Sequence, residues 1–235
     1  MSRVALVTGA SRGIGRATVD RLLRGESPIQ TIVTMARKSE DYSDAIDSFH
    51  ACKSPDAEVV ALEVDVGDRE ALKRAIAQVK TGVGNVDLLV NNAGYTNPVP
   101  LHQVDFEDFE RTMAVNLYAP FTLVQELLHL GNRFDLIVNV ASTAGIRGRA
   151  GWLTYSASKA AVINMSEVMR EELAIYGTRV VCISPGRTAT ALRRVLAPDE
   201  DPASIMQPEH VSEVIEMLAS PVGKFIDSEN LVVRQ

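Results

Sequence analysis

The sequence predicts one α/β domain, built as a doubly wound parallel sheet of about seven strands with helices on both faces. Three observations carry that prediction. Short apolar runs rich in β-branched residues recur along the chain. Helix-length segments separate them. The first run ends in a glycine-rich turn that opens the first helix. Such alternation makes βαβ units, and 235 residues provide ample material for a single core.

The strands are expected at residues 4–8, 31–35, 58–64, 86–90, 136–140, 179–183 and 230–233. Most are apolar almost without interruption, as in "VALVT" and "LIVNV", which suits strands covered on both faces. Between them, residues 13–25, 68–81, 106–130 and 155–177 have helical length and pattern. No repeat, low-complexity tract or linker divides residues 1–235. The Pro- and Asp-rich stretch 198–208 reads as a surface excursion within that one domain.

A net charge of -6 and a pI near 5.3 argue against general binding to nucleic acid or an anionic membrane, while leaving room for a local basic pocket. No apolar run reaches the length of a membrane span, and the run near the start is too short for a secretory signal. Cys52 and Cys182 lie far apart, and His50, His102, His129 and His210 are scattered. The expectation is a metal-free site in a reducing cytoplasm.

Ligands of doubly wound sheets bind at the carboxyl ends of the strands, so the first loop matters most. It reads "TGASRGIG", with Gly9, Gly13 and Gly15 between strand and helix. One glycine allows the turn, one lets backbone approach a phosphate, and one lets the helix pack on the sheet. The helix N-terminus then faces a pyrophosphate. The spacing is GxxxGxG rather than GxGxxG, and glycines alone also fit a plain tight turn. After the second strand comes "TMARKS". Arg37, followed by Lys38, stands where an NAD site would carry an acid, and Arg12 projects from the glycine loop. A carboxylate would repel a 2′-phosphate, whereas a guanidinium binds it in two-pronged fashion, so NADP is the expected cofactor. A solvated basic turn is the alternative.

In "GWLTYSASKAA" the spacing of Tyr155 and Lys159 puts both on one helical face. Taken alone, the pair also fits an ordinary half-exposed helix. The ordered set changes that reading. "TGASRGIG", "NNAG" at residues 91–94, Asn116 in "VNL", Ser142, Tyr155-x-x-x-Lys159 and "PGRTAT" from Pro185 together resemble the short-chain dehydrogenase/reductase family over nearly the whole chain. The resemblance implies a Rossmann fold and an enzyme acting on CH–OH or C=O groups. It implies that Tyr155 is the general acid or base, that Ser142 polarises the carbonyl, and that Lys159, together with a positive oxidised nicotinamide, lowers the tyrosine pKa and also binds the nicotinamide ribose. Asn116 would hold a water behind the lysine. It further implies that Gly9, Ser11, Arg12, Gly13, Ile14 and Gly15 cradle the cofactor, with Arg37 at its 2′-phosphate. Asp65 and Val66 would line the adenine. Asn91, Asn92, Ala93 and Gly94 would form the turn beneath the ribose, and Pro185, Gly186, Thr188 and Thr190 would place the carboxamide.

Two departures stand out. The tail "FIDSENLVVRQ" lacks the family's Asp-Gly-Gly ending, which leaves homodimer and homotetramer both open, and Arg187 replaces a bulky apolar residue. Residues 191–208 are expected to form a substrate lid, with a plain surface connection as the other reading. The leading function is an NADPH-dependent reductase turning a ketone or aldehyde into an alcohol. The alternatives are the same chemistry run in reverse, or an NADP-sensing regulatory protein without turnover. Arg147, Arg149 and Arg187 are expected around the pocket mouth, with Tyr95, Trp152 and Leu153 as apolar walls, attracting a substrate with an anionic group. Arginines paired to acids or facing solvent are the alternative.

Overall fold

Side-chain alternation along the first strand sets the architecture. In β1 (Arg3–Thr8), Ala5 and Val7 enter one buried cluster while Val4 and Leu6 enter another, so both faces of the strand need cover. The computed structural model, which describes residues 3–24, 29–226 and 230–235, supplies helices on each side. The remaining strands are β2 (Ile29–Ala36), β3 (Glu58–Glu63), β4 (Leu88–Asn91), β5 (Leu136–Val140), β6 (Arg179–Pro185) and β7 (Asn230–Val233). All neighbours run parallel in the order β3-β2-β1-β4-β5-β6-β7. The order reverses between β1 and β4, which opens a crevice at their carboxyl ends.

The helices are α1 (Gly13–Arg24), α2 (Glu40–Cys52), α3 (Arg69–Gly82), α4 (Phe106–Met113), α5 (Ala119–His129), α6 (Thr143–Ile146), α7 (Leu153–Leu173), α8 (Ala191–Leu196) and α9 (Pro208–Ala219). On one face α1, α2 and α9 bury Leu22, Phe49 and Ile215 against Val7, Val90 and Ile183. On the other, α3, α5 and α7 bury Ile76, Leu127 and Met169 against Leu6, Leu89 and Ile137. Among the described residues, no helix is long and apolar enough to cross a membrane.

Every expected strand is present with its ends within two residues of expectation. The expected helix at 13–25 ends at Arg24, and residue 25 lies outside the described residues, as do 227–229 of the tail. The expected single helix at 106–130 is interrupted. Residues Ala114–Tyr118 form a π-helical turn, and Pro120, which has no N–H to donate, sits in the first turn of α5. Its apolar pattern is continuous through the break, so periodicity does not reveal it.

Gly15 is the tightest point between α1 and the sheet. A Cβ there would lie 2.3 Å from the Gly9 oxygen and 2.5 Å from the Asn92 Nδ2. Gly15→Ala should therefore cost about 1 to 3 kcal/mol of stability, read as a lower urea midpoint at unchanged slope. An unchanged midpoint would show that α1 can move away freely.

Candidate active site

A cavity of about 660 Å³ opens at the carboxyl ends of the strands. The β1–α1 loop contributes Gly9, Ser11, Arg12, Gly13 and Ile14, and the end of β2 contributes Arg37. Asp65 and Val66 follow β3, while Asn92, Ala93 and Gly94 follow β4. Ser142 comes from the end of β5, Tyr155 from α7, and Pro185, Gly186, Thr188 and Thr190 from β6 and the segment after it. Gly15, Asn116 and Lys159 stand behind this wall instead of forming it.

Hydrogen bonds between two strand ends hold the glycine loop. The Thr8 hydroxyl accepts from the backbone N–H groups of Asn92 and Ala93 at 3.0 Å each. The Asn92 side chain donates to the Thr8 carbonyl at 2.9 Å and to the Gly9 carbonyl at 3.3 Å. Gly9 and Gly13 adopt φ of 68° and 57°, where an L side chain would be strained. Asn91 does not join the turn. It lies buried in β4, where its Nδ2 donates to the Asn139 Oδ1 at 2.8 Å, because strand alternation turns it into the sheet's interior.

Among the cavity-lining side chains, Arg12, Arg37, Lys38, Arg111 and Arg193 outnumber Asp41 and Asp65. Both acids are already paired, Asp41 with Arg12 and Asp65 with Arg111, each at 3.1 Å. Arg37 has no ion-pair partner among the described residues. α1 carries no acid in its first turn, so its positive end is uncompensated. A cavity with these features suits an elongated ligand with several negative charges.

The edge of the cavity that carries Ser142 and Tyr155 is built by two helices that nearly touch. A Cβ on Gly145 would lie 2.6 Å from the Lys159 backbone carbon, so glycine lets α6 lie against α7. This brings Ser142 toward Tyr155. The Ser142 Oγ accepts from the Ala144 N–H at 3.1 Å as the cap of α6, which leaves its own proton available to donate. Tyr155 is buried, and burial raises its pKa, while a hydrogen bond with Ser142 and the charge of Arg193 oppose the rise. The Lys159 Nζ donates to the Val140 carbonyl at 2.8 Å and lies 5.9 Å from the Tyr155 ring centre. Burial lowers the Lys159 pKa to about 8, and the nearby Cys182 opposes this.

Asn116 sits in the π turn with its amide engaged throughout. Its Oδ1 accepts from the Tyr95 N–H at 2.8 Å, and its Nδ2 donates to the Tyr95 carbonyl and the Ser158 Oγ, each at 2.9 Å. Ser158 in turn donates to the Tyr155 carbonyl at 2.8 Å, so Asn116 ties the β4 loop to α7.

The expected ring of arginines is only partly where sequence proximity suggests. Arg147, Arg149 and Arg187 do not line the cavity, and neither do Trp152 and Leu153, whereas Tyr95 does. Arg147 is exposed, Arg149 lies over the Trp152 ring at 5.3 Å, and Arg187 turns to Glu200 at 3.3 Å. The residue that sequence reasoning missed is Arg193, which lines the cavity and grips Glu200 through Nε at 2.5 Å and Nη2 at 2.9 Å. Glu200 lies seven residues further on, beyond the end of α8, so no helical spacing announces the pair. Arg111 was missed for a similar reason: its partner Asp65 is 46 residues away. Gly145 had a signal, a glycine just after Ser142.

Comparison with known proteins agrees with this geometry. The family model of the short chain dehydrogenases matches residues 3–201. The chain is 31% identical over 242 residues to the 3-oxoacyl-acyl-carrier-protein reductase of Haemophilus influenzae, covering 98% of this chain and 96% of that one. The Vibrio cholerae protein of the same name is 32% identical over 241 residues, covering 98% and 95%. A blue fluorescent protein from a metagenomic library, solved in complex with NADPH, superposes with a TM-score of 0.86 at 28% identity, covering 99% and 96%. A dehydrogenase/reductase from Sinorhizobium meliloti gives 0.85 at 28%, covering 99% and 94%. The chain belongs to the short-chain dehydrogenase/reductase family. It is an enzyme acting on CH–OH or C=O groups.

The buried lysine makes a stability prediction. Its folded pKa of about 8 lies below the ordinary 10.5, so between those values the unfolded chain holds a proton that the folded chain has released. Stability from this group therefore rises with pH across that window. Cys182, pushed up to about 11 by burial, opposes the rise only above its ordinary 9.0. From pH 7 to 9 the unfolding free energy of the natural protein should gain about 1 kcal/mol relative to Lys159→Met, measured by urea denaturation. A constant difference would mean that Lys159 titrates normally in the folded chain.

Proposed function

We propose that this protein is an NADPH-dependent reductase that converts a ketone or aldehyde to the alcohol. The observation that carries the reading is that the Ser142 and Tyr155 hydroxyls share one cavity wall with the glycine loop and Arg37. NADP fits that cavity. The glycine turn and the unopposed end of α1 accept a pyrophosphate, and the unpaired Arg37 with Arg12 accepts a 2′-phosphate. When bound, the reduced nicotinamide supplies the hydride.

The protein's own residues handle the carbonyl oxygen. Ser142, whose oxygen accepts the α6 cap bond, donates its proton to that oxygen of the substrate and orients it. Tyr155 delivers the proton that completes the alcohol. A neutral phenol is the form needed for donation, and burial favours it. Lys159, protonated below about pH 8, places a positive charge behind the ring to stabilise the tyrosinate left by each turnover. Asn116 is a positioning residue that fixes Tyr95 and α7. Residues 191–208 form the substrate lid in this reading, with Ala191, Leu192, Arg193 and Val195 facing the cavity. The two free cysteines suit a reducing cytoplasm, and exposed Leu101, Phe106 and Phe225 suit a homo-oligomer.

Tyr155→Phe keeps the ring and removes the transferable proton. Turnover of a screened carbonyl substrate, followed by NADPH absorbance, should fall about 10² to 10⁴-fold while NADPH affinity persists. Near-normal turnover in the folded variant rejects Tyr155 as the acid.

Arg37→Ala should weaken NADPH binding about 10 to 150-fold and leave NADH binding almost unchanged. Fluorescence titration with both cofactors decides it, and a natural protein that prefers NADH refutes the assignment.

A further inference from the structure

Arg193 is the one charged side chain of the lid that faces the cavity. Its side chain is only 15% exposed, and Glu200, at 16%, holds it by two N–H groups. Glu200 is absent from the cavity wall, so it grips the guanidinium from behind. A guanidinium has five N–H donors, and the three that Glu200 leaves have no partner among the described residues. One face of the group packs over Trp152, 5.6 Å from the ring centre, and Arg149 lies over the same ring at 5.3 Å. Arg187 also contacts Glu200, so two arginines share one carboxylate and the cluster keeps a net positive charge.

Partly buried donors without acceptors are costly unless a ligand uses them. Here they line the same cavity as Ser142 and Tyr155. The planar edge left open by Glu200 matches a carboxylate in two-pronged geometry.

We propose that Arg193 binds the carboxylate of an oxo-acid substrate, holding the acid group while the neighbouring ketone faces Ser142 and Tyr155. Glu200 is the positioning residue that fixes the guanidinium, and Trp152 is the plate on which it rests. The inference rests on the carbonyl-reductase reading of the site, and it replaces Arg147, Arg149 and Arg187 as the anion anchor.

Trp152 is the only tryptophan of the chain, so its fluorescence reports directly on the group stacked against it. The test titrates the NADP⁺-loaded protein, in which no reduction occurs, with acetoacetate and with the uncharged acetoacetamide. Acetoacetate should give a saturable change and bind about 10 to 100-fold more tightly than the amide. Arg193→Met should erase that preference, and Arg193→Lys should keep it in weaker form. Equal binding of the two compounds by the natural protein, no saturable signal from acetoacetate, or a full preference retained in Arg193→Met each overturns the proposal. The comparison of the two ligands on the natural protein stands even if Arg193→Met does not fold. NADPH oxidation separates the two readings. A binding preference without reduction of either compound keeps the anion site and rejects the reductase. Reduction of both compounds with equal kcat/KM keeps the reductase and rejects the anion site.

Discussion

The arrangement of this site depends on a buried ammonium group. Lys159 is 4% exposed and has one hydrogen-bond partner among the described residues, the Val140 carbonyl at the end of β5. Removing a cation from water is expensive, and one neutral carbonyl offsets only part of that cost, which explains the depressed pKa. The surrounding contacts keep the lysine in place. Gly145 admits α6 against the α7 backbone, the same crossing puts Ser142 near Tyr155, and Asn116 ties α7 to the β4 loop through Ser158. A longer side chain at Gly145 would disturb the serine, the tyrosine and the lysine together. The serine, the tyrosine and the lysine are therefore one mechanical unit.

The cavity's charge follows a second rule, that each acid in its wall is engaged by an arginine. Asp41 and Asp65 would both repel a phosphate if left alone, yet Arg12 and Arg111 neutralise them. Asp65 keeps its shape through a second bond, accepting from the Gly67 N–H at 2.9 Å. Arg111 also lies over the Tyr95 ring at 5.3 Å, and Tyr95 donates to Asp108 at 2.6 Å. An overall acidic protein thus maintains a locally positive binding crevice without any acid competing freely for its cations.

Much of the fold was legible because its physics is local. A strand buried on both faces must be apolar throughout, and the runs at 136–140 and 179–183 say so without context. The glycine loop was legible for the same reason, since positive φ at Gly9 and Gly13 restricts the residue type there. What failed was side-chain direction. Arg147 and Arg149 are close in sequence to Ser142 and Tyr155, but one faces solvent and the other lies on Trp152. The break at Ala114–Tyr118 escaped because it is stabilised by tertiary bonds from Asn116, while the apolar pattern runs through it.

The segment after β6 shows how such long-range terms produce a defined shape from an unpromising sequence. Residues 191–208 contain charged and proline-rich stretches that suggest a loose surface loop. Instead Thr188 bridges Met206, and the Ala189 N–H donates to the Met206 carbonyl at 2.8 Å, so the two ends of the segment are stitched as a short parallel pair. Between those ends, Thr190 caps α8 by accepting from the Arg193 N–H at 3.0 Å, which fixes the start of the helix. Its methyl would touch a Cβ on Gly13 at 3.2 Å, and Leu192 would meet one on Gly94 at 3.3 Å. The segment therefore rests on the two glycine-bearing loops that line the cavity. Glycine at these two positions leaves room for the side chains of Thr190 and Leu192. Side-chain contacts with glycine backbone thereby hold the segment against both loops, and the position of each depends on the other.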